Sequence, residues 1–433
     1  MSVSILCAGR NYGRYLDEAL RSAVGQTVPA RVIYLDDGSA DGSAEIAARL
    51  AGVEVRRNPS PLGAVAARNI LAASVDSDWL LYLDADDILP PNYVERMLAA
   101  AAPGVACVYS DLRAFGLQNY YWRVPDWGTQ SIWRRNFVHT SALIRRDALH
   151  AVGGWIEAGY CPDWHLAIRL SRWGRMVRGN TALRYRKHGG GWTDGTQAAE
   201  RTKAAEFVRR DLLRLAVGTI YGGRLPGVSR RIMERTEKAA AEFGAPCYLL
   251  DASGSGLSPR GPGLVTAWAD RPDPSLPRGK AVCEFMARAT TELMRQARAG
   301  GADALLLIED DVEPPPGFLR VLFDALTAGD DPPAAVAGCY QNRHTRRGYV
   351  SGYYSAGQVQ ELHAEPQTAT SVDLTGTGCL LFRLDAVPES CPSHLGAYEA
   401  HDWALSWAMR QRGERVELLP LRCRHWVDDG QYI

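Results

Sequence analysis

Short apolar runs alternate with helical spacings along the first 90 residues. The pattern predicts strands at 3–8, 31–35, 53–56 and 79–83, and helices at 15–24, 44–50 and 64–73. Apolar strands that alternate with helices are typical of an α/β fold, in which a mostly parallel sheet is covered by helices. Because ligands of such sheets bind beyond the carboxyl ends of the strands, polar residues at those ends are the first functional candidates.

Acidic residues follow two of the predicted strands: Asp36 and Asp37 after one, and Asp84 and Asp86 after another. Side chains alternate along a strand, so Asp84 and Asp86 point to the same side. Two close carboxylates repel each other, and a divalent cation relieves that repulsion. Oxygen ligands suit Mg²⁺ or Mn²⁺, which also bind phosphate oxygens of a substrate. The alternative is a solvated turn or helix cap, since Pro-Pro and a helix follow.

The second half of the chain repeats elements of the first. The segment WLLYLDADDILPPNYV (79–94) resembles ALLLIEDDVEPPPGFL (304–319), and DWHLAIRLSRWG (163–174) resembles DWALSWAMRQRG (402–413). These paired elements occur in the same order, which predicts a tandem duplication rather than a short-period solenoid.

A histidine follows each of the later segments, namely His188 and His425, and an Ala-Arg pair precedes each acidic cluster. A Gly/Pro/Arg-rich stretch at 222–229 marks the expected boundary. We therefore predict a first domain at 1–225, a linker at 226–244 and a second domain at 245–433.

The overall composition excludes several protein classes. The 433 residues are 46% apolar and 23% charged, which is ordinary for a folded protein. Formal charge is +0, but residues 1–225 carry 28 basic and 22 acidic residues against 21 and 27 in the remainder. Nine cysteines without a CxxC pair suit a reducing compartment. We expect no signal peptide and no membrane span, hence a cytoplasmic protein.

The blocks VSILCAGRNYGRYLDEALRSAVGQT, VIYLDDGSADGS and LGAVAARNILAASVDSDWLLYLDADD resemble the nucleotide-sugar-binding half of a family 2 glycosyltransferase with the GT-A fold. The later VHTSALIRRDALHAVGGW, PDWHLAIRLSRWG and RYRKHGG resemble its acceptor half. The resemblance covers about residues 1–192 and implies an inverting transfer of a sugar from a nucleoside diphosphate donor. One departure is the run Cys7-Ala8-Gly9-Arg10, where the family usually has a Pro-Thr-Tyr-like run.

The resemblance also implies roles for particular residues. The residues implied to contact the nucleotide sugar are Ala8, Asn11, Asp36, Asp37, Arg68, Asp84 and Ala85. The residues implied to hold a divalent cation, Mn²⁺ or Mg²⁺, are Asp84, Asp86 and His188, and Asp163 is the implied general base. From its residues alone, Asp163 also suits the N-cap of a helix at 164–173, where its carboxylate would accept a free backbone N–H.

By the repeat, the second half carries a parallel set of candidates. Glu309, Asp311 and His425 are its metal candidates, Arg288 its nucleotide-sugar candidate and Asp402 its base. Arg288 lies only about 38 residues after Asp251, and no Asp-Asp-Gly-Ser run is evident there. The second domain is therefore either a second active transferase, giving a bifunctional enzyme, or a non-catalytic copy that binds the acceptor or forms an interface.

Other functions remain open at this stage. A nucleotidyltransferase also uses acidic residues and a metal, but usually carries a basic Gly-rich loop after its first strand. A carbohydrate-binding protein would not need the acidic pair twice, and glycosidases use paired carboxylates without a nucleotide. The acceptor is unknown: a glycan, a small molecule or, as a minority hypothesis, a hydroxymethylated base in DNA, which the basic first half and its interleaved aromatics allow.

Overall fold

We describe the protein from a computed structural model. The structure describes residues 1–159, 161–190, 198–222, 225–253, 264–267, 275–276, 278–341, 351–355, 358–362, 364–393, 401–426 and 431. The chain divides into two compact units, Met1–Leu212 and Leu213–Ile433. Each unit is described by itself below.

Unit 1 contains eight strands and seven helices among its described residues. Its strands are β1 (Val3–Gly9), β2 (Arg31–Asp36), β3 (Val53–Arg57), β4 (Trp79–Asp84), β5 (Val105–Gly116), β6 (Tyr120–Trp122), β7 (Leu143–Arg145) and β8 (Arg175–Lys187). Its helices are α1 (Gly13–Val24), α2 (Ser43–Ala48), α3 (Ala64–Ala73), α4 (Tyr93–Leu98), α5 (Arg146–Ala151), α6 (Pro162–Trp173) and α7 (Ala198–Leu212). The seven elements predicted for the first 90 residues are confirmed.

The sheet of unit 1 has the strand order β3-β2-β1-β4-β7-β5-β6, with β8 also pairing with β5. Strands β3, β2, β1 and β4 are parallel, whereas β7 runs antiparallel between β4 and β5. Strand β8 is parallel to β5. The predicted α/β class with a mostly parallel sheet flanked by helices is confirmed.

Alternation along β1 explains how helices cover this sheet. Val3, Ile5 and Cys7 are buried in one cluster with Leu16 and Leu20 of α1, and residues of α2 and α4 join them. Helix α3 also packs against β1, but its buried side chains lie outside that cluster. Burying a leucine of this kind stabilises the fold by about 1.5–3 kcal/mol. The packed sheet therefore gives the strand ends a rigid base.

Unit 2 contains thirteen strands and four helices among its described residues. Its strands are β9 (Leu215–Tyr221), β10 (Cys247–Asp251), β11 (Leu264–Ala267), β12 (Ala304–Glu309), β13 (Val312–Glu313), β14 (Ala335–Cys339), β15 (Ser351–Ser355), β16 (Gln358–Glu361), β17 (Thr370–Val372), β18 (Leu374–Thr375), β19 (Cys379–Arg383), β20 (Val416–Arg422) and β21 (Arg424–His425). Its helices are α8 (Pro226–Ala241), α9 (Arg278–Ala299), α10 (Phe318–Thr327) and α11 (His401–Gln411).

The main sheet of unit 2 has the order β11-β10-β9-β12-β19-β14-β20-β17. Strands β11, β10, β9 and β12 are parallel, β19 is antiparallel to both β12 and β14, and β20 is parallel to β14. Seven successive strands thus have the same neighbours and directions as β3, β2, β1, β4, β7, β5 and β8 of unit 1. Strand β9 therefore corresponds to β1, and β12 corresponds to β4.

The predicted boundary between the domains differs from the structure. The expected linker at 226–244 is occupied by helix α8, and the division between the units falls at 212/213 instead. Strand β9, which lies before the expected linker, is a central strand of the second sheet. Only Leu213 and Arg214 separate α7 from the mostly apolar β9, so the helical pattern masked the start of a new strand.

Candidate active site

The carboxyl ends of β2, β1 and β4 meet at one edge of the first sheet. In the strand register, Ala8 lies opposite Leu35 on one side and Asp84 on the other. The backbone therefore brings the ends of these strands together, as the pattern predicted. Ala85 is buried directly after β4, and a Cβ at Gly9 would lie 3.0 Å from the Ala85 Cβ, so this turn packs closely against β1.

Asp36 and Asp37 organise the loop after β2. Asp36 has no exposed surface, and its carboxylate accepts the Ser39 N–H and lies 3.3 Å from Arg57 Nε. Asp37 accepts hydrogen bonds from Asn58 and from the backbone N–H groups of Leu62 and Gly63. Burial alone raises the pKa of Asp37, but these hydrogen bonds outweigh it and lower the pKa. Both carboxylates shape the loop, and their predicted contacts with a nucleotide stay predictions.

Asn11 joins the loops that follow β1 and β2. Its backbone has a positive φ of 59°, a left-handed conformation that asparagine tolerates better than most residues. Its N–H donates to Ser39 Oγ at 2.9 Å, and its side-chain oxygen accepts the Ala40 N–H at 2.9 Å. Asn11 therefore holds two loops at the predicted donor side of the sheet.

Arg68 pairs with the first carboxylate of the acidic motif. Its Nη2 lies 2.9 Å from Asp84 Oδ1, and its guanidinium lies over the ring of Trp155, 4.7 Å from the ring centroid. Two hydrogen bonds between the Trp155 backbone and the Asn69 side chain fix Trp155 beside helix α3. Trp155 thus has a packing role that orients Arg68 toward the end of β4.

Asp86 and His188 form a second pair beside the first. His188 Nε2 lies 3.0 Å from Asp86 Oδ2, and both side chains are mostly buried. Burial raises the pKa of Asp86, and the nearby Asp84 carboxylate raises it further, against the opposing effect of His188. Asp86 and His188 are 102 residues apart in the sequence, so the fold itself brings them together.

The chemistry of these side chains fits a divalent cation. Asp84 and Asp86 repel each other electrostatically, and a bound cation removes that cost. Among the residues that the structure describes, no group of three or more His, Cys, Asp or Glu side chains is arranged to hold an ion. Mg²⁺ typically takes only one or two protein carboxylates and completes its shell with water and phosphate. The fit is therefore to a cation shared with a bound phosphate.

Asp163 lies in the first turn of α6, one residue after the helix begins at Pro162, so the predicted N-cap position of Asp163 is wrong. Asn136 Nδ2 donates to Asp163 Oδ2 at 3.0 Å, and the Trp164 N–H donates to Asp163 Oδ1 at 2.9 Å. Burial raises the pKa of Asp163, and the charges of Arg68 and Asp84 both act on it. Arg68 and Asp84 are thus near enough to Asp163 for their charges to affect its carboxylate.

Asn136 was missed by the sequence reasoning. Its side-chain oxygen accepts the Val138 N–H at 3.0 Å, which fixes the amide so that its nitrogen faces Asp163. The segment that carries Asn136 is held by the buried Arg209 of α7, whose guanidinium donates to the carbonyls of Trp133 and Arg134. The signal that could have found Asn136 is only its position shortly before the VHTSALIRR block, because the contact spans 27 residues.

The metal candidates of unit 2 meet in a similar way but more loosely. Asp311 and His425 are both buried, and His425 Nε2 lies 3.8 Å from Asp311 Oδ2. Burial lowers the pKa of His425, but the carboxylate of Asp311 and the carbonyl of Gln341 raise it overall. Glu309 Oε1 accepts a hydrogen bond from Thr377 at 2.9 Å.

The remaining candidates of unit 2 are less well matched. Arg288 is exposed on α9 and lines a cavity with Glu284 and Cys391. It lies eleven residues before the end of its helix, whereas Arg68 lies five before the end of α3, so the two arginines are not equivalent along their helices. The side chain of Asp402, in α11, lies outside the described side chains.

The second strand of unit 2 also supplies an acid that sequence reasoning did not assign. Asp251 ends β10, the counterpart of β2, and accepts hydrogen bonds from the N–H and hydroxyl of Ser253 at 2.9 and 2.5 Å. Asp251 therefore corresponds to Asp36 rather than to the end of the first strand.

Two further features concern the chain as a whole. No helix in the described part of the chain has the length and apolar character that crossing a membrane requires. All nine cysteines are free thiols.

Comparison with known proteins agrees with this geometry. Residues 4–156 match the sequence model of the Glycosyl transferase family 2. This segment therefore carries the sequence features of a family 2 glycosyltransferase domain, in agreement with the predicted class of enzyme. The match ends before α6, so the assignment of Asp163 does not rest on it.

Several named proteins are similar to parts of the chain. The succinoglycan biosynthesis protein ExoA of Rhizobium meliloti is 30% identical over 169 residues, which is 34% of this chain and 51% of ExoA. The putative glycosyltransferase EpsH of Bacillus subtilis is 34% identical over 23% of this chain and 30% of its own length. The chain thus spans about half of the length of ExoA and about a third of the length of EpsH.

Solved structures give a weaker likeness. S. aureus TarS 1–349 in complex with UDP-GlcNAc has a TM-score of 0.40 at 15% identity, covering 48% of this chain and 65% of that one. The mannosyltransferase PcManGT of Pyrobaculum calidifontis, in complex with GDP-Man and Mn²⁺, has a TM-score of 0.38 at 16% identity, covering 48% and 63%.

Proposed function

We propose that unit 1 is a metal-dependent, inverting glycosyltransferase that moves a sugar from a nucleoside diphosphate to an acceptor hydroxyl. The observation that carries this proposal is the Asp86–His188 pair, at 3.0 Å, beside the Arg68–Asp84 pair at the end of a buried parallel strand. Asp163 acts electrostatically in the same region. Paired acids, a cation-binding chemistry, an arginine and a candidate base are the groups that such a transfer needs.

The donor end of the proposed site would stabilise the negative charge of the diphosphate. Asp86 and His188 would hold the cation, with Asp84 close by. The bound cation stabilises the charge that develops on the departing diphosphate. Arg68 is held beside the site by Asp84 and Trp155, so its guanidinium is positioned before the reaction starts. Asn11 and the Asp37-bound loop would support the nucleotide at the neighbouring strand ends.

Asp163 is proposed as the general base. Its carboxylate takes the proton of the acceptor hydroxyl as that oxygen attacks the anomeric carbon from the face opposite the leaving group. The raised pKa makes Asp163 a stronger base than an ordinary aspartate, yet the hydrogen bonds from Asn136 and Trp164 favour its charged form. Attack from the opposite face inverts the configuration of the sugar.

Unit 2 is proposed to be a second, more divergent domain of the GT-A type. The support is the shared order and direction of seven strands, with Glu309, Asp311 and His425 at the ends that correspond to Asp84, Asp86 and His188. We propose that this unit catalyses a second transfer. A non-catalytic copy is the competing outcome, because the 3.8 Å Asp311–His425 separation is looser than in unit 1.

The acceptor is proposed only as a hydroxyl-bearing molecule: a glycan, a small molecule or a hydroxymethylated DNA base. A cytoplasmic location stays a prediction from the use of cysteine.

A donor and acceptor screen tests the function directly. Wild-type chain is incubated with a panel of nucleoside diphosphate sugars, Mn²⁺ or Mg²⁺ and candidate acceptors, and products are identified by mass spectrometry. We expect a mass increase of one glycosyl unit that disappears on chelation with EDTA. Transfer of a nucleotidyl group instead of a sugar would overturn the proposal. Proton NMR of the product measures the anomeric configuration, and retention would overturn the inverting mechanism.

A further inference from the structure

A cavity of about 560 Å³ lies in unit 2 outside the site described above. It is lined by three arginines, one acid, three prolines and a cysteine: Arg235, Arg422, Arg424, Glu313, Pro314, Pro315, Pro316 and Cys423. The volume falls within the range of small-molecule sites in proteins. We propose that this cavity binds an anionic, sugar-sized molecule through its phosphate or carboxylate group.

The single acid of the cavity is already neutralised within the protein. Glu313 is buried, and its Oε1 lies 2.9 Å from Arg235 Nη2 while its Oε2 accepts the Trp426 Nε1–H at 2.9 Å. Arg235 also donates to the Pro314 carbonyl at 2.7 Å. Both oxygens of Glu313 are therefore engaged, and the guanidinium of Arg235 is held in a fixed position at the wall.

Arg422 and Arg424 add two more guanidinium groups to the lining. Arg424 lies directly opposite Glu313 in the β13–β21 ribbon, and Arg422 ends β20. The side chain of Arg422 is 66% exposed and pairs with Glu365 only at 3.9 Å. The lining thus carries three guanidinium groups and one carboxylate. Their planar donor arrays match the oxygens of phosphate and carboxylate groups.

Unit 1 keeps the arginine of this ladder pair but has no acid opposite it. When 79–94 is aligned with 304–319, Ile88 occupies the place of Glu313. The backbone of Ile88 pairs with that of Arg184 in an isolated β-bridge, as Glu313 pairs with Arg424. Ile88 is buried and apolar, so unit 1 has no counterpart of the Glu313–Arg235 ion pair. A buried ion pair adds little to stability compared with an apolar pair. The Glu313–Arg235 pair is thus an addition of unit 2 that the shared framework does not need for its stability.

The size of the cavity favours a sugar over a bare ion. Inorganic phosphate would fill only a small part of 560 Å³. The three consecutive prolines provide a rigid wall without N–H donors, against which the carbon face of a sugar ring can lie. The cavity contains none of the proposed catalytic residues, so its occupancy can be tested whether or not transfer is observed.

Isothermal titration of the full chain tests the proposal. The probes are glucose 6-phosphate and glucuronate, with glucose as the neutral probe and inorganic phosphate as the bare ion. We expect at least one of the two anionic sugars to bind, more tightly than inorganic phosphate, and glucose to give no signal. Which anionic sugar binds identifies the charged group. No binding of either anionic sugar, or equal binding of inorganic phosphate, would overturn the proposal.

Matched variants locate the binding. The double variant R422Q/R424Q should weaken binding at least about tenfold, because charge-assisted hydrogen bonds are lost. Arg295→Gln is the control, since its side chain is also 66% exposed and lies on α9 away from the cavity lining. Unchanged affinity in the double variant would place the probe elsewhere and refute the site. As a measurement that needs no variant, wild-type affinity should fall as NaCl rises from about 50 to about 500 mM; a flat response contradicts the assignment.

Discussion

The two units share a strand framework but balance charge at the strand ends in different ways. In unit 1, Asp84 is paired with the cationic Arg68 at 2.9 Å, and Asp86 lies 3.0 Å from His188. In unit 2, Glu309 accepts from the neutral Thr377, and the Asp311–His425 separation is 3.8 Å. The sheet order therefore does not determine the electrostatics of the site, because side chains from separate elements supply it.

The difference extends to the residue between the two acids. Ala85 packs closely against the end of β1, whereas its counterpart Asp310 accepts hydrogen bonds from the Gly222 N–H at 3.0 Å and from Ser229. In unit 1 the residue between the two acids packs against β1. In unit 2 the corresponding residue is hydrogen-bonded to Ser229 of α8. A framework can thus be kept while the contacts that support the strand ends are replaced.

The largest expected effect separates the two acidic sites. Asp86→Asn removes a carboxylate that would hold the cation, and we expect the product of unit 1 to fall more than about 100-fold. Asp311→Asn should leave that product unchanged and abolish a second product. Both are measured by mass spectrometry of products from the same donor panel. If both products survive in D311N, the bifunctional proposal is wrong and unit 2 is non-catalytic.

A large effect is also expected at the proposed base. Asp163→Asn should lower turnover by unit 1 about 10²–10⁴-fold, because the acceptor proton loses its carboxylate, while donor binding is kept. Since the pKa of Asp163 is raised, wild-type turnover should fall as pH drops through a value above that of an ordinary aspartate. A pH–rate profile measures this. An acidic limb at the ordinary aspartate value would contradict the predicted environment.

An intermediate effect on turnover is expected at Arg68, the partner of Asp84, and a smaller one at Thr377, the partner of Glu309. Arg68→Gln removes a charged donor worth about 1.5–3 kcal/mol, so donor turnover by unit 1 should fall roughly 10- to 150-fold. Thr377→Val removes a neutral hydrogen bond worth about 0.5–1.5 kcal/mol and should affect only unit 2, by roughly tenfold or less. Steady-state rates for the two products give both values. Equal losses of turnover in the two variants would contradict the proposed difference between a charged partner in unit 1 and a neutral partner in unit 2.

The smallest effect is expected for the residue that orients the base. Asn136→Ala removes a hydrogen bond that favours charged Asp163, so the pKa of Asp163 should rise and the acidic limb should move to higher pH. The exposed Asn180→Ala is the control and should leave the profile unchanged. ¹³C NMR of labelled aspartates measures the pKa without an acceptor. If Asn136→Ala changes neither the acidic limb of the pH–rate profile nor the pKa measured by NMR, Asn136 has a purely structural role.

The comparison of units also shows what the sequence could predict. The first seven elements follow from local periodicity, and the repeat between 79–94 and 304–319 correctly pairs β4 with β12. Strand β9 was missed because a short apolar run after a helix shows no hydrophobic periodicity that distinguishes a strand from a helix. Its strand conformation follows from its pairing with β10 and β12. Misplacing β9 also hid the correspondence of Asp251 with Asp36.

Contacts over long sequence distances explain the other misses. The Asp86–His188 pair was predicted only through resemblance and repeat, because 102 residues separate its members. The Ala-Arg match suggested Arg288 as the partner of Arg68, but α9 has 22 residues against 10 in α3, which changes where each arginine lies along its helix. Asn136 could be identified only from the folded loop that carries it.

Binding of Mn²⁺ and nucleoside diphosphates tests the central claim most directly. Electron paramagnetic resonance of free Mn²⁺ is measured with wild type, D86N and D311N, with and without a panel of nucleoside diphosphates. The account predicts that at least one nucleoside diphosphate increases Mn²⁺ uptake by wild type and that Asp86→Asn removes the part of this uptake that belongs to unit 1. Uptake in D86N equal to that of wild type, or no coupled uptake with any nucleoside diphosphate, would contradict it.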